Sequence, residues 1–131
     1  MRVFELNHVA INVSDLDRSI RFYGETLGLP QIARPAFAFP GAWFALGSQE
    51  LHLIADWPPP TGPRLHHHFA LRVPNAFEAR RHLEEHGVAG LRGPAPRPDG
   101  PMQLFFTDPD GYSIEMYSLP DNDPGSTGGS K

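Results

Sequence analysis

The chain has 131 residues, of which 40% are hydrophobic, a size and composition that suffice for one domain with a core and no disulfides. Fifteen acidic residues outnumber eleven basic ones, so the surface lacks the excess positive charge with which proteins bind nucleic acid or anionic lipid. The absence of cysteine excludes a thiol nucleophile, a CxxC redox pair and a thiolate zinc site. Because there is no signal-peptide pattern at the start and no apolar run of membrane-spanning length, we expect a cytoplasmic protein.

The first half of the chain reads as a strand, a helix and three further strands. In residues 6–13 apolar and polar side chains alternate, which is the period of a half-buried strand. The helix that follows is capped by Ser14 or Asp15 and ends at Gly28. Its apolar positions, spaced as in an α-helix, are Leu16, Ile20, Tyr23 and Leu27. Glycine and proline separate the last three strands, near residues 31–34, 42–46 and 50–55.

The second half repeats this order after a proline-rich connector, residues 56–65, which we expect to be extended. A helix capped by Asn75 ends at Gly87. The strands around it are predicted near residues 67–73, 90–92, 102–107 and 113–118. A turn at residues 108–111 joins the last two, and the glycine- and serine-rich residues 121–131 are expected to be disordered.

The two halves also match residue by residue. Residues 8–13 match residues 68–73 at an offset of 60, and residues 51–54 match residues 114–117 at an offset of 63. The halves therefore stay nearly in register from the first strand to the last. A duplicated unit is the simplest explanation.

This repeat predicts an α+β fold of two βαβββ modules in tandem, about residues 4–55 and 66–119. We expect the modules to form a single domain over residues 1–120. Their strands are predicted to make a cup-shaped mixed sheet, with the helices on the outside.

Four of the predicted strands have one apolar face and carry a single metal-capable side chain on the opposite face. These side chains are His8, His52, His68 and Glu115. In a cup they converge, and a divalent cation would compensate the buried carboxylate. Two or three imidazole nitrogens with one carboxylate oxygen suit Zn, Fe(II), Mn, Ni or Co, and leave coordination positions open for a substrate. The pattern therefore favours a catalytic metal site over a structural one.

The four candidates do not carry equal weight. A single histidine on a strand is more often a core or surface residue than a ligand, but His8 and His68 are equivalent under the repeat. Glu115 lies in an apolar strand, where an unpaired carboxylate is rarely tolerated. Three roles stay open for His52: a fourth ligand, a base beside the metal, or a lining residue. The histidines at residues 66–67 are assigned to the connector and to the outer face.

Three segments give the chain a resemblance to the vicinal oxygen chelate superfamily over about residues 4–119. They are LNHV at residues 6–9, DLDRSIRFYGETLGL at residues 15–29 and FTDPDGYSIE at residues 106–115. This superfamily includes glyoxalase I, methylmalonyl-CoA epimerase, extradiol dioxygenases, fosfomycin-resistance transferases and bleomycin-resistance proteins. The resemblance implies that His8, His68 and Glu115 bind a divalent metal ion, and it implies a homodimer. His52 stands where glyoxalase-like members use a glutamate or related ligand, so its identity departs from that pattern.

The resemblance also implies a shared reaction principle, in which the metal binds neighbouring substrate oxygens and stabilises negative charge there. In glyoxalase-type reactions a nearby base moves a proton, a catalytic role open to Glu115 or His52. Ala10 replaces the threonine that the fosfomycin enzymes carry, which counts against that activity. We therefore predict a glyoxalase-I-like lyase or isomerase acting on a small oxygenated substrate chelated through adjacent oxygens. Basic residues available to a glutathione substrate are Arg34, Arg72 and Arg97.

Two alternatives stay open beside this prediction. One is an extradiol-type Fe(II) dioxygenase, and the other is a bleomycin-resistance-like protein that binds a small molecule without turnover. The aromatic residues that such a binding protein would use are Trp43, Phe44, Trp57, Phe105 and Tyr117. Retention of the metal ligands favours an enzyme, because binding members commonly lack them. Residues 92–101 are predicted to be irregular, forming either a lid over the substrate or a stiff surface loop.

Overall fold

The structure, a computed structural model, describes residues 1–55, residue 58 and residues 68–120. The chain divides into two compact units, residues 1–62 and 63–131, and each contains one four-stranded mixed sheet. Within the described part of the chain, no helix is both long and apolar enough to span a membrane.

Several sequence predictions lie outside the described residues. They concern the connector apart from Pro58, Trp57 within it, the histidines at residues 66–67, and the tail at residues 121–131.

The N-terminal unit forms the predicted strand, helix and three strands. Its elements are β1 (His8–Val13), α1 (Leu16–Ile20), β2 (Gln31–Ile32), β3 (Gly41–Leu46) and β4 (Gln49–Ala55). The order across the sheet is β1-β4-β3-β2. Strand β1 runs parallel to β4, while the β4–β3 and β3–β2 pairs are antiparallel. The parallel pair therefore places the first and last strands of the unit side by side.

Helix α1 begins as predicted and then departs from α-helical geometry. The Asp15 carboxylate accepts a hydrogen bond of 3.1 Å from the backbone N–H of Arg18, which confirms Asp15 as the cap. A π-helical segment, Arg21–Thr26, continues the helix, and at its end the N–H of Leu27 donates to the carbonyl of Phe22 at 2.9 Å. The predicted helix therefore extends to Leu27, and its second half is π-helical because the hydrogen bonds there reach back five residues instead of four.

The C-terminal unit repeats the same architecture. Its elements are β5 (His68–Arg72), α2 (Ala76–Glu85), β6 (Arg92–Pro96), β7 (Met102–Thr107) and β8 (Ser113–Ser118). The sheet order is β5-β8-β7-β6, with β5 parallel to β8 and the other neighbours antiparallel. The Asn75 side chain caps α2 as predicted, accepting from the N–H groups of Phe77 and Glu78 at 2.9 and 3.0 Å. The α+β class and the tandem βαβββ modules are thus confirmed.

Residues 92–101 are more regular than their proline content predicts. Strand β6 occupies the first five of them, and the prediction of a strand at residues 90–92 followed by irregular chain is wrong there. Because β6 lies at the edge of its sheet, the N–H that proline lacks is not needed on the side where no strand pairs with β6. A turn follows, in which the N–H of Arg97 donates to the carbonyl of Pro101 at 2.7 Å. Of the segment considered as a lid, only the short turn at residues 97–101 therefore lies outside the sheet strand.

Each sheet buries one face, and the helix of its unit packs on it. The buried apolar residues of the N-terminal unit are Ile11, Val13, Tyr23, Ala42, Phe44, Leu51, Leu53 and Ala55. Those of the C-terminal unit are Ala76, Leu83, Leu104, Phe106, Ile114 and Met116. Strand alternation then directs the candidate ligands to the opposite face of each sheet. Phe44, predicted for a ligand pocket, is fully buried in this core, so that prediction is wrong.

Candidate functional site

The N-terminal sheet brings His8 and His52 together on the face opposite the core. Strands β1 and β4 are neighbours, and the two imidazole rings stack with centroids 4.1 Å apart and planes inclined by 17°. Trp43, on the neighbouring strand β3, stacks on His52 at 3.8 Å with planes inclined by 1°. Since β4 lies between β1 and β3, the His52 ring is enclosed between the other two rings, and the residue is only 9% exposed.

One ring nitrogen of each of these imidazoles is hydrogen-bonded to a polar side chain. The Nδ1 atom of His8 lies 2.7 Å from Oδ1 of Asn7, and the Nε2 atom of His52 lies 2.8 Å from Oε1 of Glu50. Amide and carboxylate oxygens accept hydrogen bonds, so both of these ring nitrogens donate. In the neutral rings the lone pairs therefore belong to Nε2 of His8 and Nδ1 of His52.

The C-terminal sheet joins His68 to Glu115 by a direct polar contact. His68 Nε2 lies 3.0 Å from Oε1 of Glu115, and the Gln103 amide donates to the other carboxylate oxygen at 3.2 Å. Glu115 is 4% exposed, so this carboxylate is buried but has polar partners. The Phe105 ring meets the His68 ring edge-on at 5.6 Å, and the Arg92 guanidinium lies over that phenyl ring at 5.1 Å.

The three arginines predicted for an anionic substrate have different surroundings. Arg34 donates to the backbone carbonyl of Phe39 at 2.7 Å. Arg97 pairs with the Asp99 carboxylate, which raises the pKa of Arg97 above its ordinary value and lowers that of Asp99. Arg72 lines a cavity of about 350 Å³ in the C-terminal unit. Two of the three are thus already engaged with groups of their own unit.

The predicted ligands are therefore brought together in pairs, His8 with His52 and His68 with Glu115. Among residues 1–55, 58 and 68–120, no cluster of three or more histidine, aspartate or glutamate side chains is close enough to hold one ion. Of the predicted aromatic residues, Trp43 and Phe105 contact the candidate ligands.

The polar neighbours of these pairs were not predicted from sequence patterns. They are Asn7, Glu50 and Gln103. Strand alternation held a signal for Glu50, because it precedes His52 by two residues and therefore shares its sheet face. The Gln103 contact depends on the pairing of β7 with β8, which a single strand does not reveal.

The donor atoms suit a divalent cation. The 3.0 Å between Nε2 of His68 and Oε1 of Glu115 is a hydrogen-bond distance. It is also close to the separation of about 3 Å between a nitrogen and an oxygen ligand that bind one ion at roughly 2.0–2.2 Å and at right angles. Asn7 leaves the Nε2 lone pair of His8 for a metal, and Gln103 orients the Glu115 carboxylate. Within the C-terminal unit, His68 and Glu115 thus place an imidazole nitrogen beside a carboxylate oxygen, and within the N-terminal unit Asn7 holds the ring of His8.

Comparison with known proteins relates nearly the whole chain to one family. Residues 5–116 match the Glyoxalase/Bleomycin resistance protein/Dioxygenase superfamily. Over 126 residues the chain is 31% identical to Glyoxylase I 4 of Arabidopsis thaliana, covering 88% of this chain and 71% of that protein. It is 30% identical to Lactoylglutathione lyase of Salmonella typhimurium, covering 88% of this chain and 93% of that protein.

A solved structure extends the comparison to a protein that binds a ligand. TnmS3, an antibiotic binding protein from Streptomyces sp. CB03234, superposes with a TM-score of 0.75 and 26% sequence identity. The match covers 91% of this chain and 98% of that one. Catalysts and a binding protein are therefore both found among the similar proteins.

Proposed function

The chain belongs to the glyoxalase/bleomycin resistance protein/dioxygenase superfamily, and from that premise we propose that it is a metal-dependent lyase or isomerase of the glyoxalase type. Its substrate is a small oxygenated molecule chelated through adjacent oxygens, and it acts in the cytoplasm. His8, His68 and Glu115 hold one divalent ion. The observation that carries the proposal is the contact between His68 and the buried Glu115, a nitrogen and an oxygen at a separation that two adjacent ligands can have.

The side chains around the ligands support this assignment. A bound divalent ion supplies a Lewis acid that stabilises negative charge on the substrate oxygens. Asn7 fixes His8 with Nε2 available, while Gln103 holds the second oxygen of Glu115. Turnover further requires a group that takes a proton from the substrate carbon and returns it to the neighbouring carbon, for which Glu115 and His52 are the candidates.

The ligands come from both units, and we propose that the protein is a homodimer. The amino-terminal residues leave large apolar side chains exposed, with exposures of 78% for Val3, 82% for Phe4 and 59% for Leu6. Mixing a His8→Gln variant with a Glu115→Gln variant tests how the site is built. If two copies share one site, the mixture regains metal binding that neither variant has alone; if each chain holds its own ion, it does not.

The metal proposal is tested with untagged protein that has been stripped by a chelator. Titration calorimetry with Ni, Zn, Mn, Co and Fe(II) compares the wild type with Glu115→Gln and with Glu84→Gln as control. Glu84 is an exposed glutamate of α2 in the same unit. We expect Glu115→Gln to weaken binding by more than the roughly 10–100-fold that follows loss of a ligand's hydrogen-bond partner. Equal affinity in all three proteins would refute the metal site.

Activity is followed as formation of the thioester lactoylglutathione from its hemithioacetal, the reaction suggested by the Salmonella relative. We expect turnover to disappear on chelation and to return with the preferred metal. A preference for Fe(II) together with dioxygen consumption on a catechol would instead support the dioxygenase alternative.

A binding protein is the second candidate, favoured by the similarity to TnmS3 and by exposed aromatic rings. Phe37 and Phe39 stack at 5.3 Å and are 46% and 42% exposed, and Phe37 lies 6.2 Å from Trp43. Such a surface suits a planar ligand. Binding of a planar aromatic antibiotic that is weakened by Phe37→Ala but unchanged by Glu115→Gln, in a protein without turnover, would establish this function.

A further inference from the structure

The arrangement of His52 differs from that expected of a metal ligand beside His8. A metal bound to an imidazole lies close to the plane of the ring, because the nitrogen lone pair lies in that plane. The planes of His8 and His52 are inclined by only 17° with centroids 4.1 Å apart. Two planes so nearly parallel intersect only at a distance from the rings that is much longer than a metal–imidazole bond of roughly 2.0–2.1 Å. A single ion therefore cannot lie in both planes while the rings are stacked.

His52 is also held in this orientation by two other side chains. Trp43 covers the face turned away from His8, and the planes of the indole and the imidazole differ by 1°. Glu50 accepts a hydrogen bond of 2.8 Å from Nε2. Rotating the ring toward an ion at His8 would break both contacts, in a side chain that is 11% exposed.

These contacts leave one ring atom available. Both faces are stacked and Nε2 is a donor to Glu50, so only Nδ1 carries a lone pair in the neutral ring. Within the described residues, no hydrogen bond to this nitrogen is found. A buried imidazole with one nitrogen bound to a carboxylate and the other free is the arrangement of a general base oriented by a third group.

Building on the proposed function, we propose that His52 is the proton carrier of the reaction and not a metal ligand, and that Glu50 is its positioning residue. Nδ1 takes the proton from the substrate carbon that bears the hydroxyl and the sulfur, and the electron pair of that C–H bond stays on the substrate. The proton then returns to the adjacent carbonyl carbon, while the hydroxyl proton passes to the former carbonyl oxygen through solvent. Substrate and product are isomers, so no oxidant or reductant is consumed.

Trp43 and Glu50 have distinct parts in this arrangement. Glu50 selects the tautomer with the lone pair on Nδ1. Trp43 fixes the plane of the ring. The three side chains lie on the adjacent strands β3 and β4, which are rigid supports for a catalytic group.

The test separates metal binding from turnover in matched variants. His52→Gln and His8→Gln are compared by calorimetry with Zn alone, and by the absorption spectrum of the Co(II)-loaded protein. We expect His8→Gln to lose affinity by more than about 100-fold, and His52→Gln to keep the spectrum with an affinity change below about 10-fold. For His52→Gln we expect kcat to fall by about 10²–10⁴-fold with KM little changed. Far-UV circular dichroism and the urea midpoint check that both variants are folded.

Glu50 is tested through rescue. Glu50→Gln is expected to lower kcat without changing the affinity for Zn, and Glu50→Asp to restore part of it, because a carboxylate still accepts from Nε2. Equal loss of Zn affinity in His52→Gln and His8→Gln would overturn the proposal, as would unchanged kcat in His52→Gln. If the wild type binds Zn but never isomerises the hemithioacetal, the proposed function fails. Whether His52 is a metal ligand is decided independently, by the Zn affinities and the Co(II) spectra.

Discussion

The two halves of the chain place different chemistry on nearly the same backbone. In the N-terminal sheet Ala10 pairs with His52, and in the C-terminal sheet Ala70 pairs with Glu115. Across the antiparallel neighbour, Trp43 faces His52 just as Phe105 faces Glu115. The core faces of the two sheets are both apolar, so the repeat kept its packing while the faces opposite the cores diverged.

This divergence changes how each pair interacts. Where both members are imidazoles, His8 and His52 meet face to face at 4.1 Å. Where one member is a carboxylate, Nε2 of His68 and Oε1 of Glu115 lie 3.0 Å apart. A contact between a ring nitrogen and an oxygen involves a lone pair or a proton, and a contact between stacked ring faces does not. The exchange of an imidazole for a carboxylate at one repeated position, His52 in one unit and Glu115 in the other, therefore accompanies the change from a ring stack to a polar contact.

The largest effect expected from this comparison concerns the shared core. Phe44→Ala and Phe106→Ala remove fully buried rings from equivalent strands, and each is expected to lower the free energy of unfolding by about 3–5 kcal/mol. Urea unfolding followed by circular dichroism measures both. Phe77→Ala, at a side chain that is 51% exposed, is the control and should change the midpoint little. A large effect in only one of the two units would show that the cores have diverged as well.

An intermediate effect is expected where the second unit has a partner that the first lacks. Gln103 donates to Glu115, and the corresponding position of β3 is Gly41. Gln103→Leu leaves the buried carboxylate without this donor, so unfolding should become about 1–3 kcal/mol easier and metal affinity should fall about 10–100-fold. Gln31→Leu, at an exposed position of β2, serves as the control. Unchanged metal affinity in Gln103→Leu would remove Glu115 from the ligand set.

Patterns within single strands and helices predicted most of this fold. Strands β7 and β8 occur at the predicted residues, and the caps Asp15 and Asn75 are both confirmed. Strand β6 was placed wrongly, because proline disfavours strands in general but costs little at a sheet edge, and edge position depends on the topology.

The site was less accessible from sequence than the fold. Alternation indicates which residues share a face, and His52 does stack on His8 and Trp43 while its neighbours in the strand belong to the core. The orientation of a ring is set by neighbours on other strands. For His52 these are Trp43 and His8, whose stacking no local pattern reveals. The residue types that share a sheet face can therefore be predicted from one strand, whereas the orientation of each side chain depends on the assembled sheet.

The smallest effect expected distinguishes the helix caps of the two units. Asn75 is 4% exposed and accepts from two N–H groups, whereas exposed Asp15 accepts from one. Asn75→Ala should therefore destabilise by about 1–2 kcal/mol and Asp15→Ala by about 0.5–1 kcal/mol in urea unfolding. Asn75→Asp retains an acceptor and should recover most of the loss. Equal losses in the two alanine variants would mean that burial adds nothing to a cap here, and that the divergence of the units is confined to the sheet faces opposite their cores.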